Sequence, residues 1–298
     1  MRLFGLRSVA KSVALLFVFF YSLAHAEISV VDDSGRRLTL SAPARRIVSL
    51  APHATELLFV AGAGKKIIGV SSGSDYPSEA SQLPSTGNSS RLDIERITLL
   101  KPDLIVAWTS GNNPRQIAQL RQQGYAVFES EPRRLDDIAT NLERLGTLTG
   151  STQANNAAAE FRRSLTLLSD RYQSRTPVTV FYQIWPSPLM TLNGQHLVSQ
   201  VLNLCGATNV FERLPQLAPT VTREAVVSAN PDAILIGDEA GGFDRWRSLT
   251  SLKAVRQQHL FKVNGKLLNR PTPRMLPAIT DLCEQIDTVR KPKQPTSP

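Results

Sequence analysis

Histidine and cysteine are scarce in this 298-residue chain, which has four of the first and two of the second. Past the N-terminal segment the histidines are His53, His196 and His259, and no two stand at H-x-x-x-H or H-x-H spacing. That speaks against a zinc site built on one helix or strand. The spacing G-x-S-x-G occurs once, as Gly69-Val70-Ser71-Ser72-Gly73, but it leads into a loop of turn formers and not the helix that a serine-hydrolase elbow needs; the nucleotide loop G-x-x-x-x-G-K-[ST] is absent. Nucleotide hydrolysis, if it enters the function, belongs to a partner. "GVSSGSD" and "GNNPR" carry glycine after apolar runs but are too short and unpatterned to cradle a phosphate. An enzyme is therefore not expected. There is also no basic stripe interleaved with aromatics, so nucleic acid is not an expected partner.

Long apolar runs are missing too, with one exception. Val13 to Leu23 reads "VALLFVFFYSL", preceded by Arg2, Arg7 and Lys11 and followed by "AHA" at Ala24–Ala26. A basic flank, a short apolar core and a small-x-small end make residues 1–26 a secretory signal, cleaved after Ala26 and too short to span a bilayer. No cysteine stands at the cleavage site, so a lipid anchor is not expected. Removing the signal lowers the net charge from +9 to +6, a modest excess spread over the surface. The remaining 272 residues suffice for one large domain or two medium ones.

Export brings Cys205 and Cys283 into an oxidising compartment, where a disulfide is their natural state. Both lie in apolar helical patterns, "LVSQVLNLCG" and "MLPAITDLCEQI", and buried thiols are normally inert.

What is present is alternation. "EISVVDDSGRRLTL" reads as a hairpin about Asp33-Ser34-Gly35. Apolar strands then alternate with helices: "RRIVSL", "PHATELLFVAGAG", "KIIGVSS", a helix at Ile94–Leu100, a strand at Asp103–Trp108, a helix over 114–123, a strand at Tyr125–Ser130 and a helix at Asp136–Leu148. The order predicts an α/β fold with a mainly parallel sheet. Residues 151–175 differ, being helix-favouring throughout, with Phe161, Leu165, Leu168 and Tyr172 at helical spacing. They predict a stiff rod of roughly 35 Å. Alternation resumes at "PVTVFYQIW" and closes with a helix opened by Pro273. The chain thus reads as two Rossmann-like lobes, 27–150 and 176–290, joined by one long helix, with a disordered tail over 291–298.

One unit occurs twice. "DIERITLLKPDLIVAW", Asp93–Trp108, is echoed by "TREAVVSANPDAILIG", Thr222–Gly237. Asp93 and Thr222 are good N-cap residues, which puts Glu95 and Glu224 in the first helical turn. A single such glutamate does no more than complement the helix dipole, for about 0.3–1 kcal/mol. Two at equivalent positions of two lobes suit docking against the basic pockets of a partner that is itself twofold.

These residues resemble those of the periplasmic substrate-binding proteins of ABC importers for cobalamin, haem and ferric siderophores, the class whose lobes are joined by a backbone helix. The likeness is carried by "SSGSDYP" (Ser71–Pro77), "IERITLLKPDLIVAW" (Ile94–Trp108), "GNNPRQIAQL" (Gly111–Leu120), "TVTREAV" (Thr220–Val226) and "NRPTPRMLPAITDLC" (Asn269–Cys283). It implies a periplasmic protein, monomeric when free, that docks on an ABC permease dimer through Glu95 and Glu224. The family's disulfide falls on Cys205 and Cys283. A bulky small molecule, a cobalt corrinoid for preference, is implied as ligand and no resident cofactor. The ligand positions depart from the cobalamin-binding members. Gly73 stands where those have an aromatic, and their two cleft tryptophans fall near Ser89 and Ala218. Their acidic residue four places before Arg270 is Lys266, while Arg270 itself is kept.

Ligands of α/β sheets bind beyond the carboxyl ends of the strands. Here those ends are Ala51–His53, Ser71–Asp75, Trp108–Asn112, Gln183–Trp185, Gly237–Glu239 and Asn264–Arg270. The candidate cleft residues are therefore His53, Gly73, Trp108, Trp185, Lys266, Leu267, Leu268, Asn269 and Arg270. Trp108 and Trp185 offer stacking faces, one per lobe. His53 could cap its helix, face solvent or ligate a ligand metal. Arg270 could hold a carboxamide or carboxylate, or form a structural salt bridge. Asn112, Gln183 and Asn269 are the carboxamide partners a corrinoid would use. A haem receptor would need Tyr76 or His53 as an axial ligand, and an anionic siderophore would need Arg133 or Arg134 beside Arg270. A helical rod resists hinging, so little lobe closure is expected on binding.

Overall fold

The computed structural model describes residues 27–238 and 240–291; residues 1–26, where a secretory signal is expected, and residues 292–298 of the expected tail lie outside them. The chain opens with the hairpin β1 (Ile28–Val31) and β2 (Arg37–Leu40), paired antiparallel. Its turn is held by Asp32 Oδ1, which accepts from the backbone N–H of Ser34 and Arg36, and by Gly35 in the left-handed region.

The first lobe continues through β3 (Ile47–Ser49), α1 (Pro52–Val60), β4 (Ile67–Val70), α2 (Ile94–Leu100), β5 (Leu104–Trp108), α3 (Pro114–Gln122), β6 (Val127–Ser130) and α4 (Leu135–Thr149). Then come α5 (Gln153–Tyr172), β7 (Val178–Gln183), the short pair β8 (Trp185–Pro186) and β9 (Leu189–Met190), α6 (Leu197–Leu204) and β10 (Ala207–Asn209). The second lobe ends with α7 (Arg223–Ala229), β11 (Ala233–Gly237), α8 (Asp244–Arg247), α9 (Lys253–Arg256), β12 (Leu260–Val263), α10 (Gly265–Leu268) and α11 (Met275–Arg290).

Each lobe holds one parallel four-stranded sheet, ordered β4-β3-β5-β6 in the first and β10-β7-β11-β12 in the second. Counted along the chain, both orders read second-first-third-fourth, so the lobes share one topology. The inner strands "LIVAW" and "AILIG" are apolar and almost wholly buried because helices cover both faces.

The echoed unit occupies the third place of each sheet, and the structure explains its grammar. Asp93 accepts from Arg96 N and Thr222 from Ala225 N, capping α2 and α7. Lys101 and Asn230 end those helices in the left-handed conformation. The aspartate of each Pro-Asp pair then ties the sheet. Asp103 accepts from the N–H groups of Arg45 and Arg46, and Asp232 from that of Thr179, each at the entry of the neighbouring strand.

The rod α5 has 20 residues, about 30 Å at 1.5 Å per residue, slightly shorter than its sequence pattern. Phe161 and Tyr172 are buried along it, while Leu165 and Leu168 are half-buried against the core. It lies on α4 so closely that a Cβ on Gly146 would stand 2.4 Å from Ala154 Cβ. Arg162 pairs with Asp136 and Glu143 of α4 across the same contact.

The rod is not the only joint. One apolar cluster runs from Ile47, Leu57 and Leu142 through Phe161 to Val180, Leu202 and Ile279, so the lobes share a continuous core beneath α4, α5, α6 and α11. Pro273 does not open the last helix as expected. Arg274 is the N-cap and Pro277 sits in the first turn, where a missing N–H costs no intrahelical bond.

Candidate functional site

Both sheets point their carboxyl ends into the gap between the lobes, where a cavity of about 350 Å³ opens. The first lobe contributes Pro52, His53, Trp108, Glu131 and Pro132 to its wall. The second contributes His196, Leu197, Lys266, Leu268, Asn269, Arg270 and Pro271. A smaller cavity of about 180 Å³ shares Lys266 and Asn269 and is flanked by Tyr182 and Trp185.

Trp108 ends β5 and is held in place on two sides. Its backbone N–H donates to Asn112 Oδ1 at 2.7 Å, and Gly111 leaves room for the indole, since a Cβ there would stand 1.9 Å from the ring. His53 meets Trp108 edge-on at 5.6 Å between ring centroids. It follows Pro52 in the first turn of α1, is 5 % exposed, and its Nε2 lies 3.3 Å from Ser130 Oγ. It therefore neither caps the helix nor faces solvent, because α1 drives it under the cavity floor.

Burial pushes the His53 imidazole down to about 4, against an ordinary 6.5. The folded state thus favours the neutral ring. Stability is fully present above pH 6.5 and is lost as pH falls through 4, with His53 contributing about 3 kcal/mol to the loss. His196, pushed down to about 4 by its own burial, acts in the same window. Urea unfolding at pH 7 and at pH 4 is expected to show this loss, and His53→Gln should recover part of it. An identical loss in the variant would remove His53 as its source.

Arg270 takes the structural alternative. It donates to Glu56 Oε1 at 2.8 Å and to Asp75 Oδ1 at 2.6 Å, both in the opposite lobe. Thr272 donates to Glu56 Oε2, and Arg274 lies 3.4 Å from the same carboxylate and 3.8 Å above the Tyr76 ring. The Arg270 guanidinium holds the Asp75 carboxyl below its usual range. This cluster clasps the two lobes together. Of its acidic members, Glu56 belongs to no recognisable spacing and escaped the sequence reading, while Asp75 lay within the strand end Ser71–Asp75 without being singled out. A second clasp forms where Gln200 donates to Arg133 O and accepts from Leu135 N.

The structure gathers His53, Trp108, Lys266, Leu268, Asn269 and Arg270 around one cavity. Trp185, half exposed with its indole N–H on Ser187 O, lines the smaller neighbour. Leu267 packs on the core and Gly73 sits in the exposed turn after β4, so neither is in the wall of either cavity. Asn112 and Gln183, expected to face a ligand, are buried braces. Asn112 donates to Leu50 O and Ser89 O, while Gln183 donates to Ala240 O and accepts from Trp246. Of the expected carboxamides only Asn269 lines the cavity. The sequence reading named His196 only as one of three histidines without metal-ligand spacing; its place at the start of α6 is what brings it here.

Glu95 and Glu224 are exposed in the first turns of α2 and α7. Each helix precedes the third strand of its sheet and runs back against the strands, as a parallel crossover requires. Both glutamates therefore stand at the carboxyl edge of their sheets, on the cleft side. Bonds from its own N–H and from Thr222 hold the Glu224 carboxyl below the usual range. Cys205, at the end of α6, and Cys283 of α11 are joined in a disulfide.

Comparison with known proteins agrees with this architecture. A periplasmic binding protein family model matches residues 47–264. A vitamin B12-binding protein of Vibrio cholerae serotype O1 is 40% identical over 252 residues, which is 84% of this chain and 91% of that one. One from Yersinia pestis is 37% identical over 259 residues, covering 86% of this chain and 91% of that one. The crystal structure of the periplasmic vitamin B12-binding protein BtuF of Vibrio cholerae superimposes with a TM-score of 0.77 at 39% identity, covering 84% of this chain and 99% of that one. The heme-binding RhuT of Roseiflexus gives 0.72 at 25% identity, covering 83% and 99%. Twin parallel sheets of one topology, the rod between them and the extent of these matches lead to one assignment: the chain belongs to the periplasmic binding protein family.

Proposed function

We propose that this protein captures a corrinoid, cobalamin or a close relative, between its lobes and delivers it to the permease dimer of an ABC importer. The observation that carries the reading is the 40% identity, over most of the chain, to a vitamin B12-binding protein. The cavity chemistry supports it. Its wall carries an aromatic face at Trp108, a carboxamide at Asn269 and the rings of His53 and His196. Such a wall suits a flat, amide-rimmed molecule of which a part enters the cavity and the rest lies across the open cleft. The protein acts in the periplasm, released from its signal after Ala26, and as a monomer. Glu95 and Glu224 are the contacts offered to the permease.

Haem is the second reading, and two observations weigh against it. Tyr76 lies under the Arg274 guanidinium, and His53 is buried against Ser130, so both candidate axial ligands are engaged. The rod, the shared core and the Glu56–Arg270 clasp support a small change of shape on binding.

The test is a visible spectrum after incubation with cyanocobalamin, cobinamide or haemin, each followed by desalting. Retained corrinoid bands at one equivalent, with haemin washed away, are expected. Retention of haemin alone would overturn the assignment.

A further inference from the structure

His196 enters the cavity wall from the N-terminus of α6, and its ring is fixed by the helix it begins. The backbone N–H of Val198 donates to His196 Nδ1 at 3.1 Å. An amide N–H can only donate, so Nδ1 must present its lone pair, and the proton of the neutral ring resides on Nε2. Nδ1 faces the helix, which turns the opposite edge of the ring to the cavity, and Nε2 has no partner among the described residues. Beside Asn269, the wall's other uncharged donor, three polar groups nearby are committed. Glu131 accepts from the N–H and hydroxyl of Ser110, Arg270 is held by Glu56 and Asp75, and His53 by Ser130.

Resting on the corrinoid reading, we propose that His196 is a ligand-contacting residue: its Nε2–H donates a hydrogen bond to an acceptor oxygen on the rim of the bound corrinoid. The same tautomer rules out a role as metal ligand. Coordination through Nε2 would require the proton to move to Nδ1, where it would oppose the Val198 N–H. The contact is that of an uncharged donor with an acceptor oxygen, either uncharged or sharing a single negative charge. Two parts of a cobalamin supply such oxygens, the peripheral carboxamides and the phosphodiester of the nucleotide arm.

The test separates cap from contact. Serine is as good an N-cap acceptor as the ring nitrogen but cannot reach the cavity, whereas alanine loses both roles. Calorimetric titration of cyanocobalamin and of dicyanocobinamide, which lacks the nucleotide arm, should show His196→Ser binding about tenfold more weakly than wild type with an unchanged Tm. His196→Ala should bind as weakly as the serine variant and also melt earlier. A loss shared by both ligands assigns the oxygen to a carboxamide; a loss confined to cyanocobalamin assigns it to the phosphodiester. His196→Ser binding both ligands within twofold of wild type overturns the proposal. So does a loss seen only in the alanine variant and in step with its Tm. A wild-type protein that binds neither corrinoid would overturn the ligand class first, and this contact with it.

Discussion

Replacing Glu95 and Glu224 together by alanine is expected to leave ligand affinity unchanged and to weaken docking on the permease by about a hundredfold or more. The reason lies in placement. Each carboxylate sits in the exposed first turn of a helix whose counterpart holds the same position in the other lobe. A twofold partner can then engage both at once, so each single variant is expected to lose about tenfold and the pair more than either. Neither glutamate lines the cavity, which is why binding of the small molecule should be spared. Capture of the membrane-reconstituted transporter on immobilised protein reads the effect. Undiminished capture by the double variant, with its corrinoid still bound, would remove these residues from the interface.

Changing Cys205 and Cys283 to alanine is expected to cost about 4–5 kcal/mol, because the bond closes a loop of 78 residues and restricts the unfolded chain. In a domain of this size that lowers Tm by roughly 10–15 °C. The bond ties the end of α6 to the middle of α11, inside one lobe and in the buried core. Its removal should therefore loosen the helix that carries His196 without touching the first lobe's side of the cavity. Thermal melts of wild type with and without reductant, beside the double variant, give the number. Coincident melts for all three would show that the cross-link adds no stability.

Secondary structure was legible in the sequence wherever a local pattern had one solution. The helix at Ile94–Leu100 and its echo at Arg223–Ala229 fall where the caps and Pro-Asp pairs place them. The rod was visible as a long stretch of helix formers without a neighbouring strand. The cavity was visible only in outline, since strand ends can be located from apolar runs but the direction of a side chain in a loop cannot. Lys266, Leu267 and Leu268 are consecutive, yet only the first and third border the cavity, and Leu268 does so while wholly buried in the core. Asn112 and Gln183 stood at the right strand ends and were claimed by buried backbone carbonyls, which no spacing reveals.

By itself the sequence determined the two α/β lobes, their rod, the paired glutamates and the pairing of the only two cysteines, for these follow from periodicity, capping chemistry and count. Tertiary structure alone decided which polar groups face the gap. Glu56 and Arg270, over two hundred residues apart, meet across the lobes and neutralise each other. His196 turns one nitrogen to its own helix and leaves the other for the cavity. Such choices belong to long-range packing, where a buried polar group goes to the partner that the fold brings within reach.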